Sequence, residues 1–329
     1  MHKQTKRNSR YYRHKGIYIF GRRINLARLI PFAVFLIIFI VSASLLLNYA
    51  AESAKRKKEN AGLVKEYEAA FVMEDNVPAA TQSAEAAPLL TAEPTAQATA
   101  APTAAPTAEP RPVMPTSFRD LGGDIPMNAW QLYQQNNDLV GWLYIKGVVS
   151  LPVVYRDNTF YLDHNFDQQP DKGGTLFLDQ YHPMQEDTQN LLIHGHNMYD
   201  NSMFGIVTNY DKLDNVKSHP FARFSTMTGG WEDYVICAVL RVDPDPGDKD
   251  YFQYVGRAKF SDEDSFNSYA NQLKQRSMFY IPTDIQPSDA MLSLSTCVDD
   301  DRLLVVFRRI RPGETTEQLQ EMVNGSYWQ

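Results

Sequence analysis

Between Leu29 and Leu47 the chain reads LIPFAVFLIIFIVSASLLL, nineteen residues without a charge. As a helix at about 1.5 Å per residue this stretch spans roughly 28 Å, the hydrocarbon thickness of a bilayer. Pro31 falls in the first turn, where its missing N–H is tolerated. A buried core helix is rarely apolar on every side. A cleaved leader is the closer rival, but its apolar region is about 7–15 residues long and ends in a small-x-small site. Here the run passes into Asn48, Tyr49 and Glu52 without one. Residues 29–50 are therefore read as an uncleaved transmembrane signal-anchor helix.

Charge divides the rest. Residues 1–28 hold nine Lys or Arg and no acid, whereas the basic residues after the span, Lys55 to Lys58, stand among acids. The positive-inside rule puts a cytoplasmic tail at 1–28 and the C-terminal bulk outside the cell, on a single-pass cell-membrane protein. A nucleic-acid arm is the weaker reading of that tail, because the adjoining span already accounts for it. Residues 51–113 form a juxtamembrane segment, helical at its start, followed by a linker. Between Ala79 and Pro110, 24 of 32 residues are Ala, Pro or Thr and none is aromatic. Such a segment buries too little apolar surface to order itself. Residues 114–329 form the head, with 17 basic against 30 acidic groups, a balance of −13 that excludes nucleic acid as a partner. Two cysteines in 329 residues exclude a disulfide scaffold.

The head's apolar stretches are short and rich in Val, Ile, Leu and aromatics: Trp142–Ile145, Leu151–Tyr155, Thr175–Leu178, Leu191–Ile193, Tyr234–Val242, Met278–Ile281, Met291–Leu294 and Leu303–Ile310. Turn residues separate most of them, which predicts a mainly antiparallel β-barrel. Helical periodicity adds peripheral helices near Met127–Gln135, Ser202–Tyr210 and Asp262–Arg276, the last capped by Ser261.

Two segments carry chemistry. NLLIHGHNM (190–198) is a strand running into a glycine turn, and LSLSTCVDDDRLLVV (292–306) is two strands joined by an acidic turn. A histidine ending one strand and a cysteine ending another make a thiol nucleophile and its base. If Ser293–Thr296 pairs antiparallel with Leu303–Phe307, VDDD is a four-residue hairpin loop and Cys297 faces Arg302 across its base. Arg308 would lie roughly 20 Å further along the strand and Arg309 on the opposite face. Arg302 is then the cation set beside the thiol, suited to the charge that develops on an attacked carbonyl, with the Val298 N–H as a second donor.

These motifs resemble the sortases, class B most closely. LSTC with its following Arg and apolar strand, GHN ahead of SMFG, NNDLVGW (136–142), LPVVY (151–155), DNTFYL (157–162) and GGTLFLD (173–179) occur in the expected order, over about residues 125–310. The resemblance implies an eight-stranded sortase-type β-barrel with a few peripheral helices, preceded by one transmembrane helix and a disordered linker. It implies His196, Cys297 and Arg302 as the catalytic residues, and Asn158, Leu162 and Ser295 on the substrate groove. Tyr251, in the long loop before the cysteine strand, matches a groove residue. The implied activity is a cysteine transpeptidase that cleaves a C-terminal sorting motif of secreted proteins after Thr and passes the acyl group to an amine. That amine belongs to a peptidoglycan precursor or cross-bridge, or to a pilin lysine. No metal or organic cofactor is implied. Two departures stand out. His194 replaces an aromatic residue common two places before the catalytic histidine, which makes it a groove-lining or hydrogen-bonded residue. Asp299, Asp300 and Asp301 favour the imidazolium but disfavour the thiolate, which predicts a slow enzyme.

Other readings stay open on the residues alone. His194 and His196 are half of a metal site that lacks a third ligand at a telling spacing. Cys237 in an apolar strand reads as a buried free thiol, and a Cys237–Cys297 disulfide would remove the nucleophile. A thiol peptidase that gives the acyl group to water shares the first half-reaction, and a catalytically silent wall-facing binding module would need none of it.

Overall fold

The computed structural model describes residues 18–19, 22–23, 26–70, 127–183, 188–227 and 231–329. Most of the predicted tail and the whole Ala/Pro/Thr-rich linker lie outside the described residues. The chain divides into two compact units, Met1–Lys57 and Lys58–Gln329. Helix α1, Leu26–Ala70, is continuous through the apolar span. Its stretch from Ile30 has a mean hydropathy of 2.8 and no buried residue in the most apolar window, so it is long and apolar enough to cross a membrane. The helix predicted after the span is thus part of the same helix.

In the second unit eight strands close a barrel. They are β1 (Leu139–Ile145), β2 (Val149–Val154), β3 (Leu176–Leu178), β4 (Asn190–His194), β5 (Phe221–Thr226), β6 (Trp231–Val242), β7 (Met291–Val298) and β8 (Asp301–Arg309). Around the barrel the order is β7-β8-β6-β5-β1-β2-β3-β4, closing from β4 back to β7. The β4–β7 and β2–β3 pairs are parallel and the others antiparallel. Closure leaves no unpaired edge on the sheet.

Side chains alternate across the barrel wall. Leu292 and Leu294 of β7 and Leu303, Val305 and Phe307 of β8 point into the main core. Leu304 and Val306 point outward, beneath helix α4, Glu263–Arg276, which buries Phe266, Tyr269, Ala270 and Leu273 on them. β8 is thus apolar on both faces and β7 on its inner one, and this packed wall carries the site. Two other helices flank the barrel, α2 (Met127–Gln135) and α3 (Leu213–Ser218), and α5 (Thr316–Asn324) follows β8.

The sequence reading departs from this architecture in four places. Phe221–Thr226 is a barrel strand, whereas Met278–Ile281 supplies only the two-residue strand Phe279–Tyr280, paired with Tyr327–Trp328 outside the barrel. The predicted helix Ser202–Tyr210 is a 3₁₀ turn, Val207–Asp211, followed by α3. Asp262, not Ser261, caps α4, in a reciprocal box with Ser265. The turn after β7 is shorter than predicted, because Val298 pairs with Asp301 and only Asp299 and Asp300 remain unpaired. Asp299 takes φ +55°, a left-handed conformation that Asp tolerates in tight turns.

Candidate active site

Cys297 and Arg302 are direct register partners next to the turn of the β7–β8 hairpin. One rung on, Arg302 stands opposite Val242 of β6. On the other side of β7, Ser295 is paired with His194 of β4, and the Gly195 N–H donates to the Ser295 carbonyl (3.1 Å). By alternation Ser295, Cys297, Arg302 and His194 all face the outside of the barrel. There they line a groove of about 340 Å³ together with His196, Asn158, Leu162 and Phe177.

His196 is aimed by backbone. Its Nε2 lies 2.7 Å from the Leu162 carbonyl oxygen, which can only accept, so Nε2 carries the hydrogen and Nδ1 is left for proton transfer. The carbonyl sits at the end of the 3₁₀ turn Phe160–Leu162, which the Thr175 N–H ties down at the Tyr161 carbonyl (3.0 Å), with the Gly174 backbone packed against it. Gly174 has φ +62°, and a Cβ there would lie 2.2 Å from the Tyr161 oxygen, so no other residue fits. Behind His196, the Phe204 N–H donates to the His196 carbonyl (2.9 Å) and fixes the far side of the turn.

The acidic turn is partly neutralised. Arg241 of β6 donates to Asp299 (2.7 Å) and to the Val298 carbonyl (3.3 Å), and its Nε lies 3.2 Å from Asp301. Two of the three carboxylates are thus held on the β6 side. Among the described residues no carboxylate bonds the Arg302 guanidinium, whose one hydrogen bond is a long one, 3.4 Å, to the Asp301 carbonyl. Arg302 therefore retains donors for a substrate oxygen.

Asn158 is clasped at both ends of its amide. Its Nδ2 donates to Asp179 (3.1 Å) and its Oδ1 accepts from the Gln180 N–H (2.8 Å). His194 donates from Nε2 to the same Asp179 oxygen at 3.0 Å. Burial pushes the Asp179 carboxyl up. The hydrogen bond and charge of His194, then Asn158 and the Tyr181 N–H, outweigh it and bring the group below the usual carboxylate range. Ser295 bonds the Tyr254 hydroxyl (3.0 Å), and burial of that phenol raises its pKa and keeps it protonated. Val298 closes the hairpin opposite Asp301, so its N–H, expected as a second oxyanion donor, belongs to that rung, and its side chain packs on the core.

Tyr251 is not brought to this groove. It lies on a separate depression with Tyr181 and Gln253, and Tyr254, three residues on, is the loop residue that reaches Ser295. Sequence reasoning also passed over Asp179 and Arg241. Asp179 carried a usable signal, since it follows β3 on the same face as Phe177, the register partner of His194. Cys237 is fully buried in β6 and donates to the Val306 carbonyl (3.3 Å). It lies five residues from Val242, roughly 17 Å along the strand, and both cysteines are free.

No protein-family model matches the chain. Among curated proteins it is 28% identical to Sortase B of Listeria monocytogenes serovar 1/2a over 180 residues, 54% of this chain and 70% of that protein. It is 25% identical to Sortase B of Staphylococcus aureus over 183 residues, 54% of this chain and 72% of that protein. Among solved structures, the Bacillus anthracis protein described as similar to sortase B superposes with a TM-score of 0.51 at 25% identity. That match covers 57% of this chain and 85% of that one. The barrel and these relatives together support a sortase-type cysteine transpeptidase. Both curated relatives are named Sortase B, so it is the class B sortases that this chain is similar to.

Proposed function

We propose that Cys297, His196 and Arg302 carry out a two-step acyl transfer at the cell surface. The Cys297 thiolate attacks the carbonyl of a Thr in a sorting motif, and Arg302 stabilises the oxygen's developing charge. His196 gives its proton to the departing amine, leaving a thioester on Cys297. An acceptor amine then attacks that thioester, His196 takes the proton it sheds, and the thiolate is released. A donor fixed at an oxyanion contributes about 3–4 kcal/mol to such a step.

The observation that carries this reading is the Cys297–Arg302 register pair, sharing one groove with a histidine whose Nε2–H is committed to Leu162. Ser295, Asn158 and Leu162 supply the floor and wall for the peptide. The acyl donor is a secreted protein with a C-terminal sorting signal, and the acceptor is a peptidoglycan amine or a pilin lysine. The head, 114–329, is held outside the cell by the anchor at 29–50 and the segment 51–113, with residues 1–28 in the cytoplasm.

The test is product analysis by mass spectrometry. A Thr-containing sorting-motif peptide is incubated with the protein, with and without an amine acceptor such as a short oligoglycine. Transfer to the amine, abolished in Cys297→Ala, is the expected result. If the acyl group goes only to water however much amine is present, the chain is a thiol peptidase.

A further inference from the structure

The groove wall holds a second histidine, paired with a carboxylate, for which the acyl-transfer chemistry has no use. The Asp179 side chain is 3% exposed and accepts hydrogen bonds from His194 Nε2, Asn158 Nδ2 and the Tyr181 N–H. A buried carboxylate is costly, and one so fully hydrogen-bonded is held in a single place. It fixes His194, whose ring is also tilted against Phe177 with centroids 5.2 Å apart. The His194 side chain remains 17% exposed to the groove, and among the described residues nothing bonds Nδ1.

Position gives that nitrogen a target. His194 is paired with Ser295, two residues before Cys297 on the same face, so it stands roughly 7 Å from the nucleophile along the strand. That is about two residues of an extended peptide. With Nε2–H committed to Asp179, Nδ1 accepts a hydrogen bond when the ring is neutral and donates one when it is charged. A carboxamide or hydroxyl answers in either state, and an aliphatic side chain in neither.

We propose that His194, locked by Asp179, is a specificity-determining residue that selects a side-chain carboxamide or hydroxyl on the acyl-donor peptide within one or two residues of the cleaved bond. This rests on the transpeptidase reading above. Asp179 is a positioning residue that acts through His194.

The experiment uses the full-length protein in detergent micelles and fluorogenic peptides with Thr fixed at the cleaved position. Each of the three preceding positions is varied in turn among Gln, Asn, Ser, Leu and Val, and kcat/KM is measured. The wild-type chain is expected to favour Gln, Asn or Ser over Leu or Val by about tenfold at one position. His194→Phe alone strands the Asp179 charge, so it is paired with Asp179→Asn, which removes that charge. In this double variant the polar-to-aliphatic ratio is expected to fall to about one at that position and to persist elsewhere, while His194→Gln keeps it. An unchanged ratio in the double variant, equal loss at every position, or a flat wild-type profile overturns the assignment. Failure of the wild-type chain to cleave any of the peptides overturns the transpeptidase reading itself.

Discussion

Cys237 and Cys297 carry the same thiol in opposite settings. Burial pushes the Cys237 thiol up to about 12, whereas Cys297 is partly exposed at a strand end. Only a thiolate reacts with alkylating reagents, so iodoacetamide should modify one cysteine in the folded protein and two in denaturant. Peptide mapping should assign the first to Cys297, and native labelling of Cys237 would contradict the closed β6–β8 wall. His182 gives a second prediction. Its ring is buried, and burial pulls its pKa down to about 4 despite the Asp179 charge. The unfolded chain takes up this proton near pH 6.5 and the folded one does not, so stability present above that value is lost as pH falls towards 4. The loss is about 3 kcal/mol, and the contribution of Asp179, also held low, is lost only below the ordinary carboxylate range, at more acid pH. Urea midpoints at pH 7 and pH 4.5 should differ accordingly, and His182→Gln should narrow the difference. Cys297 and His196 were legible because residue type and strand-end position carry their chemistry. Tyr254 was not, because Tyr251 and Tyr254 share one loop and only its path decides which reaches Ser295.

The hairpin shows how an element sets a site. Alternation of apolar residues along β7 and β8 fixes the register, and the register alone sets Arg302 opposite Cys297. That was readable because a slip of one residue would turn Leu303, Val305 and Phe307 out of the core. Strand β5 was not readable. In FARFST the inward positions include Ala222 and Phe224, the outward ones include Arg223, and no β-branched residue precedes Thr226. At the far end of β8, Arg308 is fully buried and its two terminal nitrogens meet Glu314 at 2.6 and 2.7 Å, while its Nε donates to the Asp284 carbonyl. The guanidinium that the strand spacing excluded from catalysis thus fastens the chain after β8. Removing its partner strands a buried charge, so Glu314→Ala should destabilise the fold by about 3–5 kcal/mol in chemical denaturation. A conformational requirement also governs the histidine turn. A Cβ on Gly195 would lie 2.4 Å from Leu176 and 2.7 Å from Phe204, both fully buried. Gly195→Ala should displace His196 and lower kcat/KM by about a hundredfold, with the far-UV circular dichroism unchanged. Activity within a few-fold of wild type would mean that the turn relaxes without moving the ring.

At the scale of the molecule, the charges and the apolar span make one argument about topology. Nine basic groups precede the span, and the residues from 114 onward carry a balance of −13. A polypeptide so divided is oriented by its short basic flank, because long acidic segments translocate largely regardless of their charge. The described helix meets the length requirement with residues to spare, since α1 continues from Leu26 to Ala70. The predicted orientation can be read at the same thiol that carries the chemistry, because Cys237 is shielded by burial and leaves Cys297 as the reactive sulfur. In intact cells of a Gram-positive host expressing the full chain, a charged, membrane-impermeant maleimide should label Cys297 as fully as it does after permeabilisation, and should label nothing in Cys297→Ala. Labelling that requires permeabilisation would reverse the topology and put the groove on the side where sorting signals and wall amines are absent. The acyl-transfer reading needs both substrates and the nucleophile on one face of the membrane, so it would not survive that result.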